Sequence, residues 1–194
     1  MADRPRLILA SASPRRLSLL AQIGVAPDDV IAADADETER LHELPRDYVL
    51  RVAAAKAEMI CARAPGAIVL AADTAVACGR RILPKAEDEA DARRCLELLS
   101  GRAHRVFTGV VLAGPDGERR TRIVETRVKV SRLEQSDIDA YIKSDEWRGK
   151  AGGYAIQGLF SKHVISIIGS YSNIVGLPLY ETANLLKGAG RLQS

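Results

Sequence analysis

The chemistry available to this chain is concentrated first in SASPRR, residues 11–16, directly after the apolar run Leu7–Ala10. Ser13-Pro14 reads as a helix start, with serine at the N-cap and proline at the first helical position. A helix N-terminus presents unpaired backbone N–H groups and a partial positive charge. Ser11 and Ser13 add hydroxyls there, and Arg15 and Arg16 add guanidinium forks that match phosphate oxygens. The segment reads as an anion cradle, or more plainly as a capped helix with two solvated arginines.

Asp73 ends a second apolar run, AIVLAAD at 67–73, and is followed by Thr74. Ligands collect at such strand ends in α/β sheets, and a carboxylate there can bind a metal or activate water. The plainer alternative is a turn aspartate bonded to its own backbone. In either case a charge leaving a buried strand must find a partner. The acidic stretch Asp34, Asp36, Glu37, Glu39 has donors for a hard cation such as Mg²⁺, or is a solvated loop.

Lys56 interrupts the aliphatic stretch AAAKAEM. It either reaches over its helix toward a site or snorkels to water. Lys85, in ILPKAED, precedes a helix and is either a phosphate contact or an exposed loop lysine. The run GKAGGYAIQG at 149–158 sets a lysine, a tyrosine and Gln157 among glycines. Glycine allows close backbone approach to a ligand, and a glutamine amide offers both donor and acceptor to a base edge. The simpler reading is a hairpin connection, and GSYSNIVGLP at 169–178 reads as a loop running into a helix.

The elements that must hold these residues follow from periodicity. Leu7–Ala10 is a buried strand, and residues 15–23 have apolar positions at helical spacing, with Gly24 as the stop. Residues 28–39 read as a strand running into the acidic loop. Pro45 opens a helix that Pro65-Gly66 ends, 67–73 is a strand continuing as a hairpin arm toward Gly79, and 86–99 is a third helix. HRVFTGVVLAG, the Pro-Asp-Gly turn at 115–117 and the alternating 123–130 segment make a long hairpin. A short helix over 136–143 capped by Ser136, strands at 154–158 and 164–168, and a helix over GLPLYETANLL complete the chain. The pattern predicts one α/β domain over 1–194, with a mixed, partly antiparallel sheet flanked by helices.

Composition narrows the partners. With 28 basic and 25 acidic residues the net charge is only +3, too slight for the basic stripe that nucleic-acid binding leaves. Cys61, Cys78 and Cys95 lack CxxC spacing and read as free thiols in a reducing compartment. His42, His104 and His163 share no metal-ligand spacing. No apolar run is long enough for a membrane span, and the N-terminal apolar run is too short for a signal-peptide core, so a soluble cytoplasmic protein is expected. Neither a GxSxG elbow nor a GxxxxGK[ST] loop is present.

Taken in order, these segments resemble the Maf family of nucleoside triphosphate pyrophosphatases. The likeness rests on LILASASPRR, DADET, RVAAAKA, LAADTAV, ILPK before a helix ending LLSG, HRVFTGVVL, GKAGGYAIQG and GSYSNIVGLPL. It implies a twisted mixed sheet in a forked α/β domain with a central cleft, similar to inosine triphosphate pyrophosphatases. It implies hydrolysis between the α and β phosphates with a divalent cation, Mg²⁺ or Mn²⁺, and a homodimer. By resemblance Asp73 is the catalytic aspartate, with Glu37, Lys56 and Lys85 the other polar cleft residues. Glu37 and Asp73 hold the metal, and Ser11, Ser13, Arg15 and Arg16 bind phosphate.

Ala72-Asp73-Thr74 resembles the branch acting on dTTP and UTP rather than the 7-methyl-GTP branch, which carries Ser-Asp-Gln. In that branch Arg15, Thr74 and Gln157 are tied to substrate choice. The sequence departs from the family in having Pro84-Lys85-Ala86 where Gly-Lys-Pro is usual. The alternatives are a non-enzymatic regulator of cell division or septum formation, and the same reaction on 7-methyl-GTP.

Overall fold

The computed structural model describes residues 4–192, so the outermost positions of the expected 1–194 domain lie outside the described residues. Strands β1 (Leu7–Ala10), β2 (Asp29–Val30), β3 (Ile68–Cys78), β4 (Arg81–Leu83), β5 (Ala103–Ala113), β6 (Arg119–Val130) and β7 (Val164–Ile168) share one sheet. Its order is β2-β1-β3-β5-β6-β7, with β4 also paired to β3. The β2-β1-β3 half is parallel and the rest antiparallel, which is the mixed sheet the sequence predicts. Helices α1 (Pro14–Gln22), α2 (Pro45–Arg63), α3 (Glu89–Leu99), α4 (Gln135–Lys143), α5 (Tyr171–Val175) and α6 (Leu179–Gly188) flank it.

Alternation along the strands decides what each face meets. Ile8, Ala10, Val69 and Ala71 face α2 and pack on its Ala53, Ala57 and Ile60. Leu7, Leu9, Leu70 and Ala72 face the other way, against Leu19 and Leu20 of α1 and Leu185 and Leu186 of α6. Farther along that face, Val76 joins Leu96, Ile138, Trp147 and Phe160 in a second core. Both faces of β1 and β3 are thus covered, so these strands read as continuous apolar runs rather than as alternating ones.

The functional opening follows from strand lengths. On one side of β3, β1 pairs with Ile68 to Ala71, and β4 pairs with Val76 to Cys78. Positions 72–75 lie in the gap between those two ladders, and the sheet forks there. On its other side β3 stays paired with β5 throughout, Asp73 standing opposite Gly109. Helix α2 crosses the sheet at Gly109, where an added Cβ would lie 2.6 Å from the Val49 carbonyl oxygen. Only a glycine lets that helix come so close.

Several elements differ from the sequence reading. Residues 154–158 form no strand; they run through turns into a 3-10 turn over Leu159–His163. Tyr154, Ala155 and Ile156 are all buried, and the Ala155 N–H donates to the Tyr141 hydroxyl at 2.9 Å. That segment is held by side chains of α4 rather than by a neighbouring strand. Helix α4 starts at Gln135 with Glu134 at its N-cap, not Ser136, and the Glu134 N–H donates to Asp137 Oδ2 at 3.1 Å. Three residues of the expected third helix fall outside it. Asp88 caps α3 by accepting from the Asp91 N–H at 2.7 Å, so the helix begins at Glu89. Only Asp29 and Val30 of the expected 28–39 strand pair, and GSYSNIVGLP holds a short helix of its own, α5, capped by Ser170.

His104 is structural, as its lack of metal spacing suggests. It is buried, its Nε2 lies 2.7 Å from the Tyr154 hydroxyl, and burial pulls its pKa down to about 4. The three cysteines are free thiols. Among the described residues no helix is long and apolar enough to cross a membrane.

Candidate active site

The fork opens into a cleft of about 560 Å³. All ten side chains singled out for substrate or catalysis line it: Ser11, Ser13, Arg15, Arg16, Glu37, Lys56, Asp73, Thr74, Lys85 and Gln157. Asp34, Asp36 and Glu39 do not line it. Asp36 instead accepts from the Thr38 N–H at 2.9 Å, a local turn that leaves only Glu37 of the acidic stretch directed inward.

The cleft floor is a lysine between two carboxylates. Lys56 lies in the buried stripe of α2 with Val49, Val52, Ala53 and Ile60. It is 6% exposed, too little for the snorkelling alternative. Its Nζ lies 2.7 Å from Asp73 Oδ1 and 2.6 Å from Glu37 Oε1. Glu37 Oε2 in turn accepts from Lys85 Nζ, so the carboxylates and ammonium groups form one chain. Burial pushes the Glu37 carboxyl up, but the bonds from Lys56 and Lys85 outweigh it and leave the pKa below the usual range. Asp73 is 2% exposed, and Lys56 is the partner that a charge leaving a buried strand requires.

Strand alternation sends Thr74 to the opposite face, toward α1. Its Oγ1 lies 2.9 Å from Thr108 Oγ1, accepts from Arg16 Nη2 at 3.3 Å and lies 3.4 Å from the Gly176 carbonyl. A hydroxyl has one proton to give, and because Thr108 gives its own to the Asn173 carbonyl, Thr74 donates to Thr108 and accepts from Arg16. Thr108 donates on to the Asn173 carbonyl at 3.1 Å, and Asn173 Nδ2 donates to Val106 O and to Thr126 Oγ1. Thr108, Asn173 and Thr126 are fully buried. This network was not visible in the sequence, because threonines within strands look like ordinary β-formers.

The network fixes Arg16. Its Nε donates to Gly176 O at 2.8 Å and its Nη1 to Ser11 Oγ at 3.2 Å. Burial lowers the Arg16 pKa, Asp73 opposes that fall and Arg15 adds to it. Arg16 is therefore not a solvated helix-start arginine but a preorganised part of the wall. Ser13 occupies the α1 N-cap position without a side-chain cap bond, so its hydroxyl is left for the cleft. No acidic residue stands in the first turn of α1, and the positive end of the helix faces the cleft uncompensated. Gln157 is exposed at the cleft mouth.

The loop around Lys85 keeps its place despite Pro84-Lys85-Ala86. Gly149 N–H donates to Ala86 O at 2.9 Å, Gly152 N–H to Pro84 O at 3.0 Å, and Ala86 N–H to Lys150 O at 3.2 Å. A proline at 86 would lack that last donor. The loop thus bonds to the glycine-rich run along its backbone, and Lys150 of that run also lines the cleft. The lysine among glycines was the signal that could have marked Lys150 beforehand.

Such a cleft can receive a polyanion: five cationic side chains and a helix N-terminus surround two carboxylates able to hold a cation or accept a proton. A dTTP/UTP pyrophosphatase of Caulobacter vibrioides is 60% identical, covering 98% of this chain and 98% of its own length. A dTTP/UTP pyrophosphatase of Maricaulis maris is 62% identical over 96% of this chain and 89% of its own. Among solved structures, the Staphylococcus aureus Ham1 protein overlaps 64% of this chain and 71% of its own at 20% identity and a TM-score of 0.46, too loose to bear on chemistry. Residues 6–189 match the family described as Maf-like protein, and the chain belongs to that family.

Proposed function

We propose that this cleft hydrolyses dTTP and UTP between the α and β phosphates, releasing the nucleoside monophosphate and pyrophosphate. The observation that carries the reading is the Asp73–Lys56–Glu37 chain, its first two members buried, facing the cationic turn Ser11–Arg16 across one cleft. The names borne by relatives at about this identity support the same substrate pair.

In this reaction water attacks the α phosphorus and its proton passes to Asp73. The bond from the α phosphorus to the bridging oxygen breaks, and pyrophosphate leaves with the electron pair. Arg15, Arg16 and Lys85 neutralise the leaving group, and Lys56 holds Asp73 ionised and in place. Arg16 acts without rearranging, because Thr74, Ser11 and Gly176 already fix it.

A divalent cation, Mg²⁺ or Mn²⁺, fits the donor set. Glu37 and Asp73 supply two hard oxygen ligands, and Mg²⁺ in phosphate sites takes one or two carboxylates with the rest from phosphates and water. Among the described residues no group of three or more His, Cys, Asp or Glu gathers, so substrate oxygens complete the set. When bound, the cation would screen the phosphates and polarise the attacked phosphoryl group.

Thr74, with its hydroxyl already shared, acts on substrate choice through Arg16 rather than on the base. The base edge falls to Gln157, whose amide donates to O4 and accepts from N3–H, groups that thymine and uracil share and cytosine reverses. The homodimer is carried by the resemblance, and β7 stands at the end of the sheet order with Ile165 and Ile168 exposed. The test is to incubate the protein with dTTP, UTP and CTP and Mg²⁺ or Mn²⁺ and to assay pyrophosphate. The expected outcome is release from dTTP and UTP, with CTP a poor substrate when the bound nucleotide holds the Gln157 amide with its N–H toward O4, the orientation that cytosine mismatches. Equal rates on CTP and UTP would remove Gln157 from base recognition, and tight dTTP binding without turnover would favour a nucleotide-binding regulator.

A further inference from the structure

We propose that Lys150 is a phosphate-binding residue, paired with Arg15, and that the two side chains grip the substrate triphosphate from separate walls of the cleft. The proposal rests on the nucleotide reading above and adds a residue that the reaction as described does not use.

Lys150 is half-buried and lines the cleft. Burial lowers its pKa and the charge of Arg15 lowers it further, and both side chains line the same cleft. Arg15 is also half-buried, burial lowers its own pKa, and its Nε is enclosed without a hydrogen-bond partner. The cleft's ion pairs among the described residues join Lys56 to Glu37 and Asp73, and Lys85 to Glu37. Lys150 and Arg15 take part in neither. Glu146 favours the charged form of Lys150, but its Oε2 already accepts from the Leu159 N–H at 2.8 Å.

Two like charges lining one cleft, both partly desolvated and in none of the ion pairs among the described residues, are unfavourable until an anion enters between them. An ammonium has three donors, and Lys150 Nζ uses one on the Arg148 carbonyl at 3.0 Å. The other two are free for phosphate oxygens, beside the fork of Arg15.

The backbone holds Lys150 in position for this. Its carbonyl accepts from the Ala86 N–H, its neighbours Gly149 and Gly152 bond to Ala86 and Pro84, and Ala151 bridges to Lys85. Gly152 and Gly153 make the turn with φ of 67° and 68°, a region that suits glycine. The loops bearing Lys85 and Lys150 are therefore one unit, and the two lysines come to the cleft together.

The experiment measures binding of inorganic tripolyphosphate by calorimetry to the wild type, Lys150→Met and Lys150→Arg, with the KM for dTTP determined in parallel. Loss of a charge-assisted contact should weaken tripolyphosphate binding by about 10- to 100-fold in Lys150→Met and raise KM with it. Lys150→Arg should recover most of the affinity, because charge and donors are retained. Thermal melts check that both variants are folded. A folded Lys150→Met that binds tripolyphosphate within about twofold of wild type, where 1.4 kcal/mol would be tenfold, overturns the proposal. If the wild type turns over no dTTP but loses tripolyphosphate binding on Lys150→Met, the cation pair stands and the hydrolase reading falls.

Discussion

Asp73→Asn should lower the rate of dTTP hydrolysis by about 10²- to 10⁴-fold, the range expected when a general base is removed. The fold should survive, for a reason visible in the geometry. Lys56 is 6% exposed, and a buried charge left alone costs about 3–5 kcal/mol. Lys56 is not left alone, because Glu37 Oε1 remains 2.6 Å from its Nζ. An asparagine oxygen can also still accept the bond that Asp73 Oδ1 takes at 2.7 Å. The variant therefore separates chemistry from stability. Steady-state rates with a parallel melt test it, and more than half the wild-type rate in Asp73→Asn would dismiss Asp73 as the base.

Gly109→Ala should damage both stability and rate, though it adds a single methyl group remote from any phosphate. The new Cβ would lie 2.6 Å from Val49 O, 2.8 Å from Val49 C and 2.9 Å from Leu50 N. These are backbone atoms of α2, so no rotamer change relieves the clash and the helix must move off the sheet. Overpacking of this kind typically costs about 1–3 kcal/mol. In a domain of this size each kcal/mol lowers Tm by about 2–4 °C. Lys56 is two turns along α2 from Val49 on the same buried stripe, so the displacement reaches the Lys56–Asp73 contact. A shift of about 1 Å in a catalytic arrangement can cost about 10²-fold in rate. Calorimetry and turnover of Gly109→Ala check this, and wild-type values for both would show that α2 does not rest on Gly109 as described.

How far the site was legible in the sequence depends on whether its signal is local. The apolar run ending in Asp73, the Ser-Pro helix start and the lysine within an aliphatic helix are local patterns that raise candidates; the resemblance selects the ten residues, and all ten line one cleft. Glu37 could be singled out from its acidic neighbours only by resemblance. Composition cannot tell which carboxylate of a loop turns inward, and Asp36 turns back on Thr38. The fork itself was not legible from periodicity, because it depends on where β1 and β4 stop pairing with β3.

One further miss has the same origin. Tyr154 to Ile156 has the apolar content of a strand, but its partners are the Tyr141 hydroxyl and His104, distant in sequence. Thr74 is tied to substrate choice by resemblance alone. Alternation turns it to the other face, where Thr108 and Arg16 share its hydroxyl. Long-range hydrogen bonds change the role of a residue without altering any local pattern.

In the proposed reaction the Asp73–Lys56–Glu37 chain directs water to the α phosphorus. Turnover of dTTP in ¹⁸O-labelled water, with both products analysed by mass spectrometry, tests it most directly. The account predicts one labelled oxygen in the monophosphate and unlabelled pyrophosphate. Label in the pyrophosphate, or release of orthophosphate in its place, would put the attack on another phosphorus and contradict it.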